Sequence, residues 1–219
     1  MVSKSVSGGR FCVTQFTIYM EGIKMSISIV GPRRSLVLAD LVSGSLVGDI
    51  LLVCVGAGLV GVCAQVSIPL PGTPVPLTLQ TLGVLLVGSS LGARRALWSM
   101  LLYLLAGAIG VPWFAAHTSG VRGASFGYVI GFVLAAFVVG VLASRGGDRT
   151  IVRTVFTMGL GTVLIYAIGL PWLMASAGLN LWTALAEGLA PFVVGDVIKV
   201  LGASVLMPMI WGLVGRGRR

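Results

Sequence analysis

The sequence predicts an all-α membrane protein with six transmembrane helices and both termini in the cytoplasm. Three observations lead there. The 219 residues are 57% hydrophobic and only 10% charged, with a mean hydropathy of +1.05, whereas soluble domains carry about 25% charged residues. The apolar residues gather into six runs, and one spanning helix needs roughly 20 mostly apolar residues. The basic residues, finally, fall almost wholly in alternate gaps between those runs.

Residues 1–34 are polar and mixed in charge, and they are read as a poorly patterned tail. Lys4, Arg10, Glu21 and Lys24 interrupt any signal-peptide core there, so the first span is expected to serve as the insertion signal. Residues 35–47 suit a short interfacial helix with Asp40 on its polar side. The first span runs from Ile50 to Val66. SIPLPGTPVPLT, 67–78, holds four prolines and is expected to form a structured loop, because proline breaks helix hydrogen bonding.

The second run, Leu79–Leu91, ends at Arg94 and Arg95, and the third covers Ala96–Ile109. After a loop from Gly110 to Phe126, the fourth runs Gly127–Ala143. The fifth, Thr154–Leu170, is expected to stop at Pro171. The sixth covers Leu189–Leu213, and residues 215–219 form a basic tail. Residues 35–214 thus make one membrane domain.

With six spans, one side collects thirteen basic residues, among them Arg94, Arg95, Arg145, Arg149, Arg153 and Arg216, and the other only Arg122. The positive-inside rule places the rich side, with both termini, in the cytoplasm. The net charge of +9 therefore sets topology; nucleic-acid binding would need the cations on one face. Cys54 and Cys63 stand about 13 Å apart along a helix, too far to bridge, and no Cys/His spacing suggests a metal.

Lys199 and Asp196 are ionisable residues within an apolar span, each costing about 2.5–3.5 kcal/mol at a helix centre. Three apart, they share a helix face, Asp196 at roughly 10 Å and Lys199 at roughly 15 Å from an outer entry near Leu189. They read as a pocket opening outward or as a pair that only fixes packing. The outer loops add Thr78, Gln80, Trp113, Phe114, His117, Arg122 and Tyr128. Small residues at four-residue spacing (Ala57 and Gly61; Gly127, Gly131 and Ala135) allow close helix approach, either internally or toward another membrane protein. No GxxxxGK[ST] or HExxH occurs, and no nucleophile-plus-base constellation is visible, so no enzyme activity is expected.

AQVSIPLPGTPVPLTLQTLGVLLVGSSLGARRALWSMLLYLLAGAIGVPWFA (64–115), GYVIGF (127–132), GLPWL (169–173) and PFVVGDVIK (191–199) closely resemble the biotin transporter family BioY. VPLTLQ and PFxxGDxxK are specific elements, and the resemblance spans about residues 35–214. It implies a substrate-binding S component of an energy-coupling-factor (ECF) transporter. Such a subunit captures biotin from outside the cell membrane. A transmembrane coupling subunit and two cytoplasmic ATPases then drive uptake.

The resemblance also implies roles. Asp196 accepts from a ureido N–H of biotin and Lys199 donates to the ureido carbonyl. Phe114, Trp113 and Tyr128 pack the bicyclic ring, and Gln80 borders the site. Beside the resemblance, Arg122 is expected to meet the valerate carboxylate because it is the sole outer cation, and His117 either replaces a ring-contacting side chain or only lines the loop. Ala57, Gly58, Gly61 and Ala64 resemble the AxxxA-type surface that contacts the coupling subunit. After the PxFA motif, where family members often carry a Gly-rich or amide-bearing stretch, this chain has Ala116, His117 and Thr118. No cofactor or metal is implied; biotin is the cargo. The runner-up is a self-sufficient secondary transporter or facilitator, in which Asp196 or Lys199 carries a proton. A membrane enzyme acting on a biotin precursor is a third reading, without catalytic groups to support it.

Overall fold

The computed structural model describes residues 2–8, 11–20, 23–32, 37–41 and 45–216. They fall into two units, one up to Ser35 and one from Leu36 onward. The first unit holds three strands where the sequence reading placed no element: β1 (Val2–Gly8), β2 (Phe11–Met20) and β3 (Ile23–Pro32). They form an antiparallel sheet in the order β1-β2-β3. Gly8 pairs with Phe11 and Met20 with Ile23, so two residues join each pair of strands. Two-residue links containing glycine suit such hairpins, and FCVTQFTIYM is rich in β-branched and aromatic residues. A search for long apolar runs does not see this pattern. Arg10, Arg33, Arg34, Arg218 and Arg219, counted in the charge argument, lie outside the described residues.

The second unit is helical. A 3-10 turn, Leu38–Leu41, precedes α1, Leu46–Gln65. Of the interfacial helix expected over 35–47, the described part is that single turn and the start of α1. Ser45 caps α1 by accepting from the backbone N of Gly48 at 3.2 Å. The Pro-rich loop is structured as expected: β4 (Ser67–Ile68) pairs antiparallel with β5 (Leu77–Thr78) and closes its base.

Helix α2, Gln80–Ala108, contains the second and third apolar runs, and Gly92 within it is non-helical at φ 77°, ψ 170°. The chain folds back there. Gln80 Nε2 donates to Tyr103 Oη at 2.7 Å, although 23 residues of straight helix would separate them by about 35 Å. Only glycine readily occupies that backbone region. The two arms therefore run antiparallel, as the split at Arg94 and Arg95 foretold.

Helices α3 (Phe126–Ala143), α4 (Ile151–Ala177), α5 (Leu181–Gly188) and α6 (Ala190–Arg216) complete the unit. Four of the helices, α1, α3, α4 and α6, are long and apolar enough to cross a membrane. Pro171 does not end the fifth run: α4 continues through it to Ala177, where Gly178 caps it at φ +66°. Proline forfeits one hydrogen bond and bends a helix, and packing against neighbours compensates for the loss. The sequence reading also missed α5, whose start is capped by Asn180 accepting from Thr183 N at 2.9 Å.

Neighbouring helices pack in the order α1, α2, α3, α4, α6, and α6 also returns to α2. The small residues of α3 serve this packing: a Cβ on Gly131 would lie 2.9 Å from Ile165 O in α4. Small residues of α1 also pack within the chain. Ala57 and Ala64 are buried and Gly61 lies against the Trp113 ring. Only Gly58 of that group looks into open space.

One end of the bundle is charged. Arg95 bridges Asp40 at 2.6 Å and Asp49 at 2.9 Å, tying the 3-10 turn, α1 and α2 together. Between α3 and α4, Asp148 is 1% exposed and accepts from Trp211 Nε1 of α6 at 2.7 Å. The Arg149 guanidinium lies 3.3 Å over the Trp211 ring. Burial pushes the Asp148 carboxyl above its ordinary value, against the opposing pull of Trp211 and Arg149. A carboxyl raised on folding contributes stability at low pH that fades as pH rises through its folded value. Asp148→Asn retains an acceptor for Trp211 and is expected to flatten the fall of melting temperature as pH rises above the ordinary carboxylate value. Thermal unfolding across that range checks it; an unchanged slope counts against the assignment.

Candidate functional site

At the opposite end, β5, the start of α2, the loop after α2, and the facing parts of α3, α4 and α6 enclose a cavity. Its walls are apolar, with Val75, Leu77, Phe114, Phe132, Ile165 and Phe192 contributing side chains. Polar groups converge on one side: Thr81 from α2, Tyr166 from α4, and Asp196 and Lys199 from α6. Small-molecule sites commonly combine an apolar lining with a few placed polar groups.

The three-residue spacing on α6 explains the meeting of Asp196 and Lys199, and the packing of α6 on α4 and α2 supplies the rest. Lys199 Nζ donates to Asp196 Oδ1 and to Thr81 Oγ1, each at 2.9 Å. Thr81 Oγ1 donates to Asp196 Oδ1 at 3.1 Å. Tyr166 Oη donates to Asp196 Oδ2 at 2.5 Å. The ion pair is almost dry, with side-chain exposures of 10% for Lys199 and 7% for Asp196. A buried pair persists only when further hydrogen bonds satisfy it, and Thr81 and Tyr166 provide them.

This quartet has zero net charge but strong local polarity. Lys199 spends two of its three N–H donors on Thr81 and Asp196, and Asp196 keeps acceptor capacity on Oδ2. The site therefore offers one donor and one acceptor side by side. That suits a neutral group carrying both N–H and C=O, held in an apolar slot.

Of the residues singled out in the sequence, Asp196, Lys199, Tyr128, Phe114, Gln80 and Thr78 line the cavity. Tyr128 Oη donates to Gly188 O at 2.9 Å, fastening α3 to α5. Trp113 stands behind Phe114: its ring packs 5.1 Å from Tyr103, and its Nε1 donates to Tyr103 O at 3.0 Å. His117 and Arg122 are exposed and do not line the cavity.

Thr81 and Tyr166 were missed. Tyr166 carried a usable signal, because a tyrosine in the middle of an apolar run is far from the interface where tyrosines usually anchor. Thr81 follows Gln80 directly, yet only the docking of α6 reveals that it faces a charge pair.

The model of the BioY family matches residues 32–216. A probable biotin transporter BioY of Pyrococcus horikoshii is 35% identical over 167 residues, covering 75% of this chain and 96% of the relative. Biotin transporter BioY2 of Lactococcus lactis subsp. cremoris is 38% identical over 160 residues, covering 72% and 86%. These relatives are named transporters, not enzymes. Among solved structures, the S-component for biotin from an ECF-type ABC transporter superposes with a TM-score of 0.68 at 23% identity. That match covers 76% of this chain and 92% of the other. At that identity the likeness concerns the fold. The family match over most of the chain, with apolar helices enclosing a partly polar cavity, makes this a membrane protein of the BioY family.

Proposed function

We propose that this chain is the biotin-capturing S component of an ECF-type transporter in the cell membrane. The observation that carries the reading is the Thr81–Tyr166–Asp196–Lys199 quartet at one side of an apolar cavity. Biotin's ureido ring is neutral and presents two N–H donors and one carbonyl. Asp196 Oδ2 accepts from a ureido N–H, and the remaining Lys199 N–H donates to the carbonyl. Phe114 and Tyr128 flank the bicyclic ring, and Gln80 borders it. A site built to hydrogen-bond such a group rejects analogues that lack it, because its buried polar atoms are then left unpaired.

Six spans and cytoplasmic termini follow in this reading. The Arg-rich end, with Arg94, Arg95, Arg145, Arg149 and Arg153, faces inward by the positive-inside rule, which leaves the cavity at the outer end. The sequence contains no Walker-type motif, so ATP hydrolysis falls to two partner ATPases acting through a transmembrane coupling subunit.

Titrating biotin into the purified chain in detergent, without nucleotide, tests the reading. Saturable binding by calorimetry is expected, and none from folded protein overturns it. Vesicles containing this chain alone are expected to show no uptake until coupling subunit, ATPases and ATP are added. Uptake by the chain alone favours a secondary carrier. Because Arg122 is exposed outside the cavity, Arg122→Ala is expected to change biotin affinity by less than about twofold. A larger loss restores its role as partner of the valerate carboxylate.

A further inference from the structure

The loop after α2 reaches the cavity through two consecutive residues in an unusual conformation. Ala116 and His117 have φ of 54° and 57°, the only positive φ values among the described non-glycine residues. Left-handed backbone is disfavoured for residues with a Cβ and persists where the surroundings hold it. Directly before them, Phe114 and Ala115 are buried and line the cavity.

Gln65, the last residue of α1, grips this turn from both sides. Its Oε1 accepts from His117 N at 3.2 Å. Its Nε2 lies within hydrogen-bond distance of three carbonyl oxygens: Gly61 at 3.0 Å, Trp113 at 3.2 Å and Phe114 at 3.4 Å. A side-chain amide offers two N–H donors and a carbonyl acceptor from one planar group. The Trp113 carbonyl is held from its other side by Tyr103 Oη at 3.0 Å, and Tyr103 in turn accepts from the cavity residue Gln80 at 2.7 Å. Gly107 leaves the space that the Phe114 ring fills.

We propose that Gln65 is a positioning residue for ligand capture: it holds the left-handed Ala116–His117 turn so that Phe114 and Ala115 stand as a preformed wall of the cavity. Gln65 does not line the cavity itself; it acts through the loop. Preorganisation of this kind raises affinity by removing the ordering cost from the binding step. The proposal rests on the biotin-capture reading for its ligand but not for its structural half.

The test compares wild type, Gln65→Ala, Gln65→Glu and Gln65→Ala combined with Ala116→Gly and His117→Gly. Gln65→Ala is expected to raise the biotin Kd about tenfold, mainly through faster dissociation. Gln65→Glu, which keeps the acceptor but faces three carbonyls without a donor, is expected to be no better. The two glycines adopt positive φ without a Cβ penalty and are expected to recover part of the affinity. In ligand-free protein, amide exchange over 113–118 should quicken in Gln65→Ala while the helices keep their protection. Unchanged affinity and exchange overturn the proposal. So does lost binding with exchange raised throughout the helices and no recovery by the glycines, the signature of general structural damage. If wild type does not bind biotin, the functional reading fails, and the exchange pattern still decides whether Gln65 holds the turn.

Discussion

Asp196→Asn is expected to weaken biotin binding by at least about a hundredfold, the largest binding effect of any single substitution in this protein. The carboxylate accepts from Lys199, Thr81 and Tyr166 at once, and in the proposed complex it accepts a fourth donor from the ureido ring. The amide keeps the size but removes the charge, and turns one of its two polar atoms into a donor facing donors. Hydrogen bonds to a charged group contribute roughly 1.5–3 kcal/mol each. Lys199 is also left as a buried, uncompensated cation, and breaking such a pair costs about 3–5 kcal/mol.

That second cost makes the single variant ambiguous between lost recognition and lost folding, so Lys199→Met and the double variant belong in the same experiment. Asp196→Asn with Lys199→Met removes both charges, and its melting temperature is expected to recover toward wild type. Its biotin binding is expected to stay lost, because neither the strong acceptor nor the donor remains. Calorimetry and thermal unfolding in the same detergent read the two quantities apart. A double variant that binds biotin as wild type does would reduce the pair to a packing device.

This pair was legible in the sequence because an ionisable residue inside an apolar run is costly and conspicuous. The fold-back of α2 was legible for a similar reason, since Arg94 and Arg95 interrupt the hydropathy. Tyr166 and Thr81 were harder, because what makes them part of the site is that α4 and α2 bring them against α6. Local patterning contains no trace of that tertiary fact for Thr81, and for Tyr166 only the signal of a tyrosine in the middle of an apolar run. Ala57, Gly61 and Ala64 show the converse limit. Spacing identifies a face suited to close approach, and only the packed structure shows that Trp113 and neighbouring helices of this chain occupy it. Pro171 shows that propensity yields to context, because neighbours support a helix that continues through it, and the N-terminal strands show that strand propensity lies outside a hydropathy argument.

A large loss of stability, reached without removing any polar contact, is expected from Gly140→Ala. Gly140 sits on α3 where that helix crosses the α2 fold-back, and an added Cβ would meet the Ala93 N, with Gly92 C at 2.6 Å and Ala93 Cα at 2.7 Å. All three are backbone atoms, so no side chain can rotate away. The backbone they belong to cannot yield either, because Gly92 occupies a conformation at φ 77°, ψ 170° that no other residue readily takes. Overpacking a well-filled site typically costs 1–3 kcal/mol and occasionally more; here, with relief blocked on both sides, about 3 kcal/mol or above is expected. Gly159→Ala and Gly202→Ala supply the contrast. Both glycines lie within helices with nothing within 4 Å of an added Cβ, and replacing an unencumbered helical glycine by alanine stabilises by roughly 0.5–1 kcal/mol. The same chemical change is thus expected to lower the melting temperature sharply at one position and hold or raise it at the other two. Because the fold-back also brings Gln80 to Tyr103, biotin binding by Gly140→Ala should fall along with its folded fraction. Thermal unfolding of the three variants in one detergent decides the matter: a Gly140→Ala protein melting like wild type would mean that α3 and the fold-back do not pack this closely.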